Sequence, residues 1–212
     1  DIADEDAITL LLQGMTAHYL TRDSYSIKAG DIALVHSGAG GVGLLLTQNI
    51  KSLGGRVITT ASTAAKQDLA RSAGADLAIG YEDFARHVTE FTNGKGVNVI
   101  YDGVGKSTFE GGLQAIGRRG TFAIFGAASG QVEPIEIMKI SAGSIFLTRP
   151  TLADFVATRA ELLWRANDVF AAFLRHELKI TIGATYALSQ AAEAHLNLES
   201  RTSTGKLILK IR

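Results

Sequence analysis

Between residues 32 and 147, short apolar runs alternate with amphipathic stretches, and this alternation constrains the fold of the 212-residue chain more than any other feature. Ile32-Ala33-Leu34-Val35-His36, Arg56-Val57-Ile58-Thr59-Thr60, Leu77-Ala78-Ile79 and residues 97–101, 120–125 and 144–147 read as strands. Most are continuous apolar runs rich in β-branched residues, as expected of strands buried on both faces. Residues 42–53, 64–73, 84–91 and 108–116 read as the intervening helices, the first two stopped by Gly54 and Gly74, because glycine accepts the left-handed conformation at a helix end. Connections of this kind are right-handed crossovers that place helices on both faces of one parallel sheet. The expected fold is therefore α/β, a doubly wound parallel sheet of six strands in the order 3-2-1-4-5-6.

The flanks behave differently. Residues 4–21 form a helical pattern with Ile8, Leu11, Leu12, Met15 and Tyr19 on one face. Beyond Pro150 the rhythm breaks into a long helix over 152–176, a strand near 180–184, a helix over 189–198 and a strand over 206–211. This divides the chain into residues 1–150 with the sheet and residues 151–212 as a C-terminal appendage. With 46% hydrophobic residues and a mean hydropathy of +0.16, it can bury one substantial core. Twenty-one Lys and Arg balance 21 Asp and Glu, so no global field gathers nucleic acid or an anionic membrane. The absence of cysteine removes disulfides, thiolate zinc sites and a cysteine nucleophile from this chain and fits a cytoplasmic setting. No apolar run reaches the roughly 18 residues of a membrane span, and the acidic start, Asp1 to Asp6, is unlike a signal peptide. A first residue of Asp1 rather than Met reads as a chain cut from something longer.

The residues Gly38-Ala39-Gly40-Gly41-Val42-Gly43 match G-x-G-x-x-G directly after the first strand and at the opening of a helix, the context that gives this motif its mechanism. Gly38 permits the tight turn, Gly40 lets backbone N–H groups approach a pyrophosphate, and Gly43 lets helix and strand pack closely. The helix N-terminus then faces the anion with its unpaired donors. NAD-binding versions carry an Asp or Glu about 20 residues further on, at the end of the second strand, to bind the ribose 2′-OH. Here that place is held by Thr60-Ala61-Ser62-Thr63. A 2′-phosphate is not repelled, and Ser62, Thr63 and Lys66 offer donors and a positive charge, so the cofactor expected is NADP(H).

Taken together with Gln13-Gly14-Met15-Thr16-Ala17, Tyr101-Asp102-Gly103-Val104-Gly105, Phe125 to Gly130, Thr148-Arg149-Pro150, Glu199-Ser200-Arg201 and Gly205-Lys206, the chain resembles the zinc-independent quinone oxidoreductases of the medium-chain dehydrogenase/reductase superfamily. The resemblance runs nearly end to end. It implies a Rossmann cofactor domain in which Lys66 and Tyr81 bracket the 2′-phosphate, Gly126 and Ser129 lie on the nicotinamide side, and Arg201 reaches in from the C-terminal segment. Thr16 would touch the nicotinamide mononucleotide half. Each also has a purely structural reading: Lys66 as a solvated helix lysine, Tyr81 as a strand-end ring, Arg201 as a surface partner of Glu199, and Thr16 on a buried helix face. Members of the family carry a GroES-like catalytic domain before the region equivalent to Asp1, which is missing here, and the C-terminal segment packs on it. The resemblance also implies a homodimer paired through the sixth-strand edge near residues 143–148.

No other chemistry competes. His18, His36, His87, His176 and His195 lack the spacing of a helical zinc pair, no G-x-S-x-G elbow occurs, and no G-K-[ST] closes the glycine turn. His36 reads as a packed strand-end residue, Asp102 as a cap of the turn after the fourth strand, and no catalytic residue is assigned. The expected activity is NADPH-dependent reduction of quinones or related activated carbonyl and enone compounds by hydride transfer. Two alternatives stand beside it: an enoyl-reductase module of a larger synthase, and a cofactor-binding protein without turnover. Lacking the domain that walls the substrate site, residues 1–212 alone are expected to turn over quinones poorly.

Overall fold

The structure, a computed structural model, describes residues 2–211. The chain enters through α1 (Asp4–Thr9), a π-helical turn (Leu10–Gly14), α2 (Met15–Tyr19) and a second π-helical turn (Leu20–Ser24). The sequence pattern predicts one regular helix here; instead its turns widen twice. Thr9, Thr16 and Thr21 each donate their hydroxyl to the carbonyl four residues back, a bond that loosens and bends helices. Gly14 in the first widened turn lies so close to the later helix α7 that a Cβ there would stand 2.8 Å from Val169 Cγ1.

Next follow β1 (Ile32–Val35), α3 (Gly41–Ser52), β2 (Arg56–Thr60), α4 (Ala64–Ser72), β3 (Leu77–Ile79), α5 (Phe84–Phe91), β4 (Val97–Asp102), α6 (Phe109–Ala115), β5 (Ile116–Ile124) and β6 (Phe146–Thr148). The six strands are all parallel, in the order β3-β2-β1-β4-β5-β6, as expected for a doubly wound sheet. Successive residues of each strand face opposite sides, which splits the core in two. Ala33, Val35, Val57, Val99 and Tyr101 meet Tyr19, Leu45, Leu46 and Ile50, while Leu34, Ile58, Ile100 and Phe122 meet Phe84, Val88 and Phe109. Both layers are buried, so the strands carry almost no alternation in sequence.

The appendage comprises α7 (Arg159–Leu174), β7 (Ile182–Ala187), α8 (Ala191–Glu199) and β8 (Lys206–Lys210), with β7 and β8 pairing as a separate two-stranded parallel sheet. The helix expected over 152–176 is corrected. Leu152–Phe155 is a 3-10 turn and α7 starts only at Arg159. Its boundary is a capping box: Thr158 Oγ1 accepts from Glu161 N at 3.2 Å and Glu161 Oε2 accepts from Thr158 N at 2.9 Å, which satisfies donors a helix start otherwise leaves open.

A polar chain ties α7 to the entry helix. Arg165, only 2% exposed, donates from Nη1 to His18 Nδ1 at 2.6 Å and pairs with Asp23 Oδ2 at 2.9 Å. Its Nε and Nη2 donate to the Phe155 carbonyl at 3.3 and 3.2 Å. A guanidinium only donates, so His18 Nδ1 must accept and its Nε2–H donates to Asp168 Oδ2 at 2.7 Å. The imidazole is therefore neutral, and burial, reinforced by the Arg165 charge against the opposing pull of Asp168, holds its pKa below the usual histidine value.

Candidate dinucleotide-binding site

A cleft of about 580 Å³ opens at the C-terminal ends of β1, β2 and β4, where the strand order reverses and doubly wound folds bind their ligands. The glycine turn forms its floor. A Cβ at Gly38 would stand 1.8 Å from Thr59 Oγ1, and one at Gly43 would stand 2.3 Å from the Ser37 carbonyl oxygen. Both glycines are therefore required by close packing. Gly40 is the N-cap of α3 and brings no capping side chain, which leaves backbone donors at that helix end for a ligand. Gly40, Gly41, Val42 and Gly43 all border the cleft.

At the end of β2 no carboxylate appears. Ser62 and Lys66 line the cleft, whereas Thr63 caps α4, its Oγ1 accepting from Lys66 N at 3.3 Å. Lys66 Nζ donates to the Arg201 carbonyl at 2.6 Å, and burial lowers its pKa. Tyr81 borders the same wall, its ring stacked on that of His36 with centroids 6.3 Å apart. Arg201 also faces the cleft, in a left-handed conformation at φ 59° just after α8. The segment it begins runs over the glycine turn: Gly205 N donates to the Ala39 carbonyl at 2.9 Å and pairs with Gly40 in an isolated parallel bridge.

Five expected residues stand back from the cleft: Thr63, the cap of α4, Gly38, which packs against Thr59 beneath the turn, and Thr16, Gly126 and Ser129. Thr16 returns its hydroxyl to Leu12 O at 2.7 Å. Gly126 packs against Gly103, whose carbonyl oxygen would be 2.6 Å from a Cβ. Ser129 Oγ donates to Val104 O at 2.8 Å and accepts from Ser107 N at 2.9 Å, stapling the loop after β5 to the loop after β4. Their neighbours Gln13, Phe125 and Ala128 supply the wall instead. Asp102 is buried, with Oδ1 accepting from Val104 N at 2.6 Å and Gly105 N at 3.0 Å and Oδ2 from Thr108 Oγ1 at 2.8 Å. It shapes the turn, as its sequence position predicts.

Gln13 was not singled out by sequence reasoning, although it lies one helical turn before Thr16 and so on the same face. Its amide lies where a Cβ on Gly41 would come, 2.2 Å away. His36, read as a packed strand-end residue, is indeed 1% exposed, with Nδ1 2.9 Å from Thr60 Oγ1 and the Phe84 ring edge-on at 4.8 Å. Burial pushes its pKa down to about 4, against a weaker opposing pull from Asp102. Below pH 6.5 the unfolded chain takes up a proton here that the folded chain refuses until about pH 4. Stability is therefore lost as pH falls through that window, by up to about 3 kcal/mol from this residue. Urea unfolding at pH 7 and pH 4.5 is expected to show the loss, and His36→Gln is expected to reduce it.

The zinc-binding dehydrogenase family matches residues 41–171. The chain is 42% identical over 203 residues to a probable quinone oxidoreductase of Schizosaccharomyces pombe, and 40% identical over 208 residues to a quinone oxidoreductase of Pseudomonas aeruginosa. These alignments cover 96% and 97% of this chain but 62% and 64% of the relatives, so it spans less than two thirds of their length. The crystal structure of Escherichia coli quinone oxidoreductase complexed with NADPH superposes with a TM-score of 0.94 at 38% identity, covering 99% of this chain and 66% of that one. By these matches, and by a glycine turn set at the switch point of a six-stranded parallel sheet, the chain belongs to the quinone oxidoreductase family of the medium-chain dehydrogenase/reductase superfamily.

Proposed function

We propose that the cleft holds NADP(H) and that the chain supplies the cofactor-binding part of a zinc-independent, cytoplasmic oxidoreductase acting on quinones or related activated carbonyl and enone compounds. The observation that carries this reading is the wall at the end of β2, where Ser62 and Lys66 replace the acid that binds a ribose 2′-OH. The relative solved with NADPH supports it. Lys66, Tyr81 and Arg201 would surround the adenosine end, and the glycine turn the pyrophosphate. Phe125 and Gln13 border the rest of the cleft. When bound, the nicotinamide would supply the acceptor with a hydride, one proton carrying two electrons, and a proton from water would complete the reduction. The chain's own residues bind and orient; none among those described is placed as a proton donor, and no three His, Asp or Glu among them are grouped to hold a metal.

Fluorescence titration is expected to show NADPH preferred over NADH by at least about tenfold, or roughly 1.4 kcal/mol. Lys66→Ala should weaken NADPH towards the NADH level and leave NADH nearly unchanged. Ser62→Asp, which places a carboxylate on the cleft wall, should reverse the preference. Equal affinities for the two cofactors in the unaltered chain would overturn the reading.

The proposal includes a homodimer through β6, the sheet edge, where Phe146 is 63% exposed. An uncovered apolar edge invites strand pairing. Sedimentation should give a dimer that Phe146→Glu dissociates; a monomer at micromolar concentration would count against it. The division at residue 150 into a cofactor-binding part and an appendage belongs to the same proposal. No helix among the described residues is long and apolar enough to cross a membrane.

A further inference from the structure

Among the described residues, three buried side-chain polar atoms lack a hydrogen-bond partner, and two of them, Gln13 Oε1 and His36 Nε2, belong to residues bordering the cleft. His36 is the more constrained. It follows β1 by one residue, and the pairing of Val35 with both Thr59 and Tyr101 puts it in one row with Thr60 and Asp102. All three are at most 1% exposed. Thr60 serves Nδ1, and the Asp102 oxygens are engaged by Val104, Gly105 and Thr108. Nothing in the row is left for Nε2. An unpaired buried group of this kind is destabilising, and the surrounding Tyr81 and Phe84 rings would pack equally well on an apolar side chain. The row lies beside Ala61, Ser62 and Tyr81, the side of the cleft where these folds seat the adenosine ribose.

We infer that His36 is a further cofactor-binding residue, whose Nε2 makes its missing hydrogen bond to the adenosine half of the bound dinucleotide. The inference rests on the reading of the cleft as a dinucleotide site. Because burial keeps the ring uncharged at neutral pH, it offers a neutral hydrogen bond. That chemistry suits a purine nitrogen or a ribose hydroxyl and leaves the phosphates to Lys66, Arg201 and the glycine turn.

The test uses the chain labelled with ¹⁵N-histidine and titrated with 2′,5′-ADP, which carries the adenosine half alone, and with nicotinamide mononucleotide. The His36 Nε2 resonance is expected to move with 2′,5′-ADP and to stay put with nicotinamide mononucleotide. A resonance that stays fixed while 2′,5′-ADP saturates overturns the inference and identifies a permanently hydrated or permanently unpaired nitrogen. Two variants read the same atom by another route, since an Asn amide reaches the Nδ1 position and a Gln amide the Nε2 position. His36→Asn is expected to weaken 2′,5′-ADP at least tenfold and His36→Gln less than threefold; equal affinities in both variants and the unaltered chain overturn the inference. If the unaltered chain binds no 2′,5′-ADP, the dinucleotide reading itself fails, a result distinct from a bound ligand that leaves His36 undisturbed.

Discussion

Gly38→Ala is expected to cost about 3 kcal/mol of stability, the upper end of what overpacking does, and to weaken NADPH at least about a hundredfold, or some 2.7 kcal/mol. The added methyl would stand 1.8 Å from Thr59 Oγ1 and 2.8 Å from Thr59 Cβ. Thr59 cannot step aside, because it is fully buried in β2 and its hydroxyl donates to the Val35 carbonyl at 2.7 Å. The turn must move instead, and with it the helix end that would meet the pyrophosphate of a bound dinucleotide. Gly40→Ala provides the contrast. Its methyl meets only Ser37 atoms at 3.2 Å, so denaturant unfolding should show a smaller loss of stability while NADPH titration still shows weakened binding. A Gly38→Ala protein with unaltered stability and affinity would mean that the turn is softer than its packing indicates.

The second large effect lies outside the cleft. Arg165→Met should destabilise the protein by about 3 kcal/mol, because the His18 Nδ1 acceptor and the Phe155 carbonyl are left without donors in a buried setting. Asp23 contributes less, since its side chain is 34% exposed and water can take over. For a chain of this size the melting temperature should drop by roughly 8 °C. Arg165→Lys should not rescue it, because an ammonium cannot span three acceptors in one plane. If Arg165→Met melts with the unaltered protein, the chain of contacts from Asp168 to Asp23 holds nothing in place.

What the sequence disclosed follows the range of the interactions involved. The strands, their order and the glycine turn are encoded by runs of neighbouring residues, and they were legible. The start of α7 was also written locally, as Thr158 followed three residues later by Glu161, but apolar residues on both sides of it read as a single helix. The π-helical turns had no such signature: the threonine hydroxyl bonds that accompany them also occur in regular helices, and the close approach of Gly14 to Val169 in the first is long-range. The lining of the cleft was legible where backbone or charge decides, at Gly40 to Gly43 and at Lys66. It was not legible where neighbours decide. Thr63 and Ser62 are equivalent in sequence, yet only Ser62 faces the cleft because Thr63 caps α4. The unpaired edge of His36 appears only once Thr60 and Asp102 are seen to be engaged elsewhere.

The strap across the glycine turn also bears on the order in which the protein forms. Lys66 meets Arg201 across 135 positions of sequence, and Ala39 meets Gly205 across a still longer interval. Closing so long a loop carries an entropic penalty that nearest-neighbour strand pairs do not face. The sheet and the glycine turn can assemble during synthesis from residues already released, whereas the wall at 201–205 must wait for about 160 residues beyond the glycine turn. Newly made protein should therefore pass through a stage with a complete sheet and a half-built cleft, in which a nucleotide that gripped both sides would act as a template for the last step of folding.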